Sequence, residues 1–275
     1  KHKKLDTIDT IPEHGDMLFY LLIIGAQILA AVWFIRYVII HDRGSKEPRS
    51  AIRAALLFGL LALFLVTITS FLQENQFFVG LEDGTGTLSN MFIASIIIGI
   101  IEETAKSIPL ALWIYKKPFF NELTDGIFYF GMSGIVFALI ENIEYTISDG
   151  TGTGLTRLIM TPFLHIGFAM VFGFFLARYK VTGKSKALVA LGLFGAIALH
   201  ALYDFGLFSH IGWLMLLSSV IGLTLNIGVF KLYRYAQAED AKLSLSADGT
   251  NHFCRSCGRP NPDHTLYCIY CGQHT

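Results

Sequence analysis

The stretch I-E-E-T-A-K-S-I-P-L-A-L-W-I-Y, residues 101–115, places Glu102, Glu103 and Lys106 in the middle of an apolar run. An ionisable side chain at the centre of a bilayer costs about 2.5–3.5 kcal/mol on insertion scales, so residues of this kind mark functional sites. Glu102 and Lys106 are four apart and therefore share one helical face. Two carboxylates beside one ammonium can divide the roles of general base and general acid.

The following apolar runs carry more of the same chemistry: Glu141 and Glu144, then His165, then His200 and Asp204. His200 and Asp204 also lie four apart, so the carboxylate can orient the ring. Counted inward from run ends near Ser148, Arg157 and Phe208, the residues Glu141, His165 and His200 lie about 10–12 Å deep, at 1.5 Å per residue. Glu102 falls somewhat deeper from Asn90. Taken singly, Glu102 with Lys106 could be a neutralised packing pair, although a functional pair is the preferred reading, whereas a lone His165 reads as an interhelical hydrogen-bonding residue. Coincidence at one depth on four successive runs favours a site. Glu144 and Tyr145 read as interfacial. Pro109 and Pro162 each disturb a helix close to these residues, and freed backbone groups in a membrane must face protein or water, so a hydrated cavity is expected.

Positioning these groups requires a membrane bundle. The 275 residues are 53 % hydrophobic and only 15 % charged. Seven apolar runs of spanning length are read at 17–40, 51–72, 90–115, 125–147, 157–179, 187–208 and 210–233. The fold class is thus an all-α polytopic membrane protein of about seven transmembrane helices with a small C-terminal zinc-ribbon module. The first run is too long for a signal-peptide core and no small-residue cleavage site follows it, so it reads as a retained span. The sequence does not begin with Met, so residues could precede Lys1.

Arg43, Lys46, Arg49 and Arg53, then Lys116 and Lys117, then A-R-Y-K-V-T-G-K-S-K, then Lys231 and Arg234 fall in alternate loops. The intervening loops are nearly free of lysine and arginine. The positive-inside rule puts the N-terminus outside and the C-terminus in the cytoplasm, although Lys1, Lys3 and Lys4 oppose it. Equal numbers of basic and acidic residues, 21 and 21, argue against a nucleic-acid partner.

The segmentation is 1–16, extracytoplasmic; 17–235, the helical bundle; 236–250, a polar linker; and 251–275, a cysteine module. In F-C-R-S-C-G-R-P-N-P-D-H-T-L-Y-C-I-Y-C-G-Q, the residues Cys254, Cys257, Cys268 and Cys271 form two C-x-x-C pairs, each followed by glycine. Two such knuckles can hold Zn²⁺ through four thiolates; the other reading is a pair of disulfides, which a cytoplasmic tail disfavours. Metal binding would supply the folding energy of so small a module, and four thiolates leave no open catalytic position. Recognition of a cytoplasmic partner is the role expected for it.

The pieces E-E-T-A-K (Glu102, Glu103, Lys106), F-A-L-I-E-N (Phe137, Glu141, Asn142), His165 in P-F-L-H-I-G-F-A-M, and H-A-L-Y-D (His200, Asp204) resemble, in order and spacing, the PrsW family of intramembrane proteases. That family is distantly related to the CAAX prenyl endopeptidases. The H-D-R-G-S-K-E-P-R segment is similar to its early Asp and Glu-Pro element, and the resemblance runs from about residue 17 to 233. It implies hydrolysis of a peptide bond in a membrane-anchored protein, of the anti-sigma-factor kind, in the outer half of a bacterial or archaeal cytoplasmic membrane.

Two mechanisms stay open. In a glutamic one, Glu102 or Glu103 with Glu141 holds and deprotonates water while His165 and His200 serve the leaving amine or the oxyanion. In a metal-dependent one, His165, His200 and either Asp204 or Glu141 bind catalytic zinc with Glu102 as base. An ammonium at Lys106 would repel a cation, which tilts the sequence reading to the glutamic form. Outside the protease class, the same residues could relay protons in a coupled carrier or channel, or the chain could be a non-catalytic scaffold that holds partners through its zinc module. No inverted repeat of the kind that favours a carrier is visible.

Overall fold

The computed structural model describes residues 14–71, 85–161, 163–183 and 185–246, with 252–253, 257, 260–261, 270–271 and 273 of the tail. Seven α-helices occur among them: α1 (His14–His41), α2 (Arg49–Phe71), α3 (Leu88–Ile114), α4 (Leu123–Met160), α5 (Leu164–Thr182), α6 (Lys186–Phe208) and α7 (Gly212–Ser246). Five stretches among the described residues are long and apolar enough to cross a membrane: Met17–His41, Arg49–Thr69, Leu123–Thr182, Lys186–Phe208 and Gly212–Leu243. The third of them contains both α4 and α5. Helix α3 has the length, but Glu102, Glu103 and Lys106 interrupt its apolar character.

Helix α4 is the axis of the bundle. It packs against α1, α2, α5 and α7, while α3 and α6 pair with each other beside it. Its first three turns are buried on every side and, apart from Thr124, Asp125 and Ser133, are built of apolar, aromatic and glycine residues, as suits a central helix. The tightest crossing is with α5. A Cβ at Gly126 would lie 2.1 Å from the carbonyl oxygen of Gly173, and one at Gly173 would lie 2.2 Å from that of Gly126. Backbone contact of this kind requires small residues on both helices. Leucine, isoleucine and phenylalanine side chains on α1, α2 and α7 (Leu21, Leu29, Leu57, Phe64, Leu216, Ile227) face outward, the surface that lipid demands.

Where α4 begins, three carboxylates do local work. Asp125 accepts from the backbone N–H of Asn121 and Glu122 at 2.6 and 2.8 Å, which answers donors that no helical carbonyl can reach. Asp240 of α7 accepts from the N–H of Leu123 and Thr124 at 2.7 and 2.8 Å, a carboxylate at the positive end of a helix. Glu47, just before α2, accepts from the hydroxyl of Tyr129. The role of Asp240 explains a departure from the sequence reading: residues 236–246, expected as linker, continue α7, because Ala236 and Asp240 pack onto the bundle. Polarity alone signalled a linker; tertiary contacts keep it helical.

A second departure concerns the fifth run. Gly150 has φ 90° and ψ 176°, outside helical space and accessible mainly to glycine, and the chain reverses there. Residues 151–160 return alongside 142–149: Gly154 lies against Thr146, and Gln27 of α1 donates to both Thr146 Oγ1 (3.0 Å) and the carbonyl of Gly154 (3.3 Å). In a straight helix residues eight apart would stand about 12 Å apart. Helix α5 therefore starts at Leu164 rather than 157, and His165 lies in its first turn instead of well inside a span. The depth count for His165 from Arg157 does not hold.

In the tail, His252–Phe253 pairs antiparallel with Pro260–Asn261. Cys257 and Cys271 are exposed. Cys254 and Cys268, Pro162 and residues 1–13 lie outside the described residues.

Candidate active site

Helices α3, α4, α5 and α6 bring Glu102, Glu103, Lys106, Glu141, His165, His200 and Asp204 into one connected cluster. Glu103 and Lys106 are fully buried, whereas the side chains of Glu102, Glu141 and Asp204 keep 10, 14 and 14 % of their surface. The two adjacent glutamates thus have different positions. Glu103 faces inward, with Oε1 2.7 Å from Lys106 Nζ and 2.7 Å from His200 Nδ1. Glu102 faces the centre, with Oε2 3.8 Å from His165 Nδ1, 3.8 Å from His200 Nε2 and 3.4 Å from Lys106 Nζ.

Each histidine uses its two nitrogens differently. His200 meets Glu103 through Nδ1 and turns Nε2 to the centre, where Asp204 Oδ2 also lies, at 3.3 Å. His165 meets Glu141 through Nε2 at 2.6 Å and turns Nδ1 to the centre, where Lys106 Nζ stands 2.9 Å away. A carboxylate on the far nitrogen fixes the tautomer and the plane of each ring. Aromatic neighbours complete the walls: Phe168 stacks on His200 at 5.1 Å between centroids, and Phe137 lies 5.3 Å from His165 and 4.4 Å from the Lys106 ammonium.

The group Glu102, His165 and His200 presents one donor atom each, all within 4.8 Å of one another and all from buried residues. Two imidazoles and a carboxylate are a donor set of catalytic zinc sites. The carboxylate grouped with the two histidines here is Glu102, where the sequence reading had Asp204 or Glu141. Fit to a divalent cation also depends on charge. Four carboxylates (Glu102, Glu103, Glu141, Asp204) against Lys106 and Arg157 leave −4 + 2 = −2 with neutral imidazoles, and buried charge has to be compensated. A divalent cation balances the sum. Lys106 weighs against a cation: its shortest contact is with Glu103, but its ammonium also stands 2.9 Å from His165 Nδ1 and 3.4 Å from Glu102 Oε2, two of the three donor atoms.

Arg157 is the member that sequence reasoning missed. It was read as the outer end of a span, but its Nη2 lies 3.1 Å from Glu141 Oε2. The available signal was its isolation as the sole basic residue in the otherwise acidic and neutral segment S-D-G-T-G-T-G-L-T-R.

A polytopic helical protein that encloses carboxylates, imidazoles and cations in this order is of the class of intramembrane hydrolases. Residues 47–231 match the model of the PrsW family of intramembrane metalloproteases, and the chain belongs to that family. It is 27 % identical over 227 residues to the protease PrsW of Clostridioides difficile, covering 79 % of this chain and 91 % of that protein. Against the protease PrsW of Bacillus subtilis identity is 26 % over 194 residues, 70 % and 85 % of the two chains; against that of Halalkalibacterium halodurans it is 28 % over 185 residues, 66 % and 81 %. No solved structure matches. The protein is accordingly an intramembrane protease of a bacterial membrane.

Proposed function

We propose that the protein hydrolyses a peptide bond of a membrane-anchored, single-span substrate at a metal-dependent centre formed by Glu102, His165 and His200. The observation that carries this is the matched backing of the two rings: Glu141 behind His165 and Glu103 behind His200, with the other nitrogen of each turned to Glu102. Imidazoles that bind metal almost always give their other N–H to such a partner. A divalent cation held there would polarise the scissile carbonyl and lower the pKa of the attacking water. Asp204, beside the inward nitrogen of His200 and with no lysine or arginine in ion-pair contact among the described residues, is the carboxylate placed to take a proton from that water and return it to the leaving amine. Burial excludes competing bulk water and strengthens each of these interactions.

One contact supports the glutamic alternative. Lys106 Nζ lies 2.9 Å from His165 Nδ1 and 3.4 Å from Glu102, so the ammonium can hold the centre together by itself, with Glu102 as base.

The arrangement in the membrane is seven spans with the N-terminus outside, the carboxylate–imidazole cluster in the outer half and the tail in the cytoplasm, as the lysine and arginine bias of the loops supports. An anti-sigma-factor-like substrate follows from the family resemblance. A structural zinc on Cys254, Cys257, Cys268 and Cys271, holding a cytoplasmic partner, follows from the cysteine spacing alone. The experiment compares protein N-termini in membranes containing the wild-type chain with those containing a Glu102→Gln, Glu103→Gln double variant. New termini near the outer ends of single-span proteins, present only with wild type, name the substrate. Identical termini in both overturn the protease reading in favour of a carrier or scaffold.

A further inference from the structure

The sequence supplies a cation for one half of the site, and the structure supplies its counterpart. On the α3–α6 side the order is Lys106, Glu103, His200, then the centre; on the α4–α5 side it is Arg157, Glu141, His165, then the centre. Each arm is a cation clamping a carboxylate that in turn fixes an imidazole. Arg157 reaches its position only because the chain reverses at Gly150, and two further contacts hold it there while a third fixes Asn142. Its Nε donates to Asn142 Oδ1 at 2.8 Å, Asn142 Oδ1 also accepts from Thr161 Oγ1 at 3.0 Å, and the guanidinium lies 4.0 Å above the ring of Tyr145. Asn142 is buried, and the Arg157 side chain retains 15 % of its surface.

We propose that Arg157, carried by the returning segment 151–160, is a positioning residue of the protease. It holds the Glu141 carboxylate against His165 Nε2, which keeps His165 Nδ1 directed at Glu102. Without the guanidinium, Glu141 is a buried carboxylate facing one imidazole only, and it is free to turn away from the ring or toward solvent. A guanidinium suits the task better than an ammonium, because separate N–H groups engage Glu141 and Asn142 together while the flat face rests on Tyr145. The inference rests on the protease reading for its kinetic arm and is independent of it for its geometric arm.

The kinetic arm measures cleavage of an identified substrate by wild type and by Glu102→Gln, Glu141→Gln, Arg157→Gln, Arg157→Lys and the Glu141→Gln, Arg157→Gln double variant. Loss of cleavage in Glu102→Gln establishes the proteolytic assay. Arg157→Gln should then lower kcat by about 10- to 100-fold with KM within about twofold, as removal of an orienting partner does. Arg157→Lys should recover part of the loss, and the double variant should be no slower than Glu141→Gln. A wild-type rate in Arg157→Gln, or losses that multiply in the double variant, overturns the proposal. The geometric arm needs no catalysis and no substitution of Arg157. Thr146→Cys with Gly154→Cys, oxidised in membranes, should give an intramolecular disulfide between those positions by mass spectrometry. Its absence would mean that 151–160 does not return along α4, and the proposal fails even if the enzyme is active. If wild type cleaves nothing, the protease reading falls and the disulfide alone decides the fate of the returning segment.

Discussion

Glu103 Oε1 stands 2.7 Å from His200 Nδ1, on the side of the ring away from Glu102. Adjacent glutamates in E-E-T-A-K thereby have separate tasks, because a step of one residue along a helix turns the side chain by about 100°. Glu102 faces the reacting centre and Glu103 the structure behind it.

Glutamine at the two positions should therefore have unequal effects. Glu102→Gln removes the central carboxylate and its negative charge, and cleavage should fall by about 10³-fold or more. Glu103→Gln can still accept from Lys106 and from His200, so it should cost about 10- to 100-fold. Rates on one substrate at matched expression check this. Equal losses would mean that the two carboxylates share the chemistry.

Lys106 is fully buried and meets Glu103 at 2.7 Å, His165 Nδ1 at 2.9 Å and Glu102 at 3.4 Å. Lys106→Met keeps the length of the stem and removes the charge, which leaves carboxylates uncompensated. Breaking one partner of a buried ion pair costs about 3–5 kcal/mol. Thermal unfolding in detergent should show a large loss for Lys106→Met and a smaller one for Lys106→Met combined with Glu103→Gln, since the second change removes the stranded charge. Additive losses would show that the pair is not coupled.

Metal content gives a readout apart from activity. If Glu102, His165 and His200 hold a divalent cation, elemental analysis of the purified full chain should fall by one equivalent in His200→Ala and in His165→Ala, whatever the cysteine tail retains. A strong chelator should abolish cleavage in wild type and zinc should restore it. An active protein with the same metal content as His200→Ala, indifferent to chelators, would leave Glu102 with Lys106 as the working pair.

Much of this arrangement was legible from residue type and spacing. Six of the seven apolar runs each fall on one helix, the fifth starts in the returning end of α4 before entering α5, and the seven residues expected at the site, Glu102 to Asp204, lie together in one cluster. Period and charge are local signals, and they were sufficient where a helix runs straight. They failed at Gly150, where one glycine at φ 90° reverses the chain and converts an apparent span boundary into a hairpin. Arg157 was invisible for the same reason: its partner, Glu141, is 16 positions back in sequence and only meets it across the reversal. At the other end, the helical course of 236–246 depends on Asp240 meeting the N–H groups of Leu123 and Thr124, a contact 117 residues away in sequence for the first of them.

Glu47 offers a test on the side of the bundle away from the reacting centre. Burial, with Asp42 and Glu122 close by, pushes its carboxyl up from 4.5 to about 7, against the opposing hydrogen bonds with Asp125 and Tyr129. The folded state thus binds this proton more tightly than the unfolded chain does. Its contribution to stability is complete below about pH 4.5 and is lost as pH rises through about 7, a change on the order of 3 kcal/mol at most. Glu47→Gln keeps an acceptor for Tyr129 and a donor for Asp125 without a charge to ionise. Unfolding temperatures in detergent at pH 5, 6.5 and 8 should decline for wild type across this range and decline less for Glu47→Gln, which should be the more stable of the two at pH 8. Parallel curves would assign the pH dependence to other groups, and a less stable variant at pH 8 would mean that Glu47 is held there as a carboxylate by partners stronger than Tyr129.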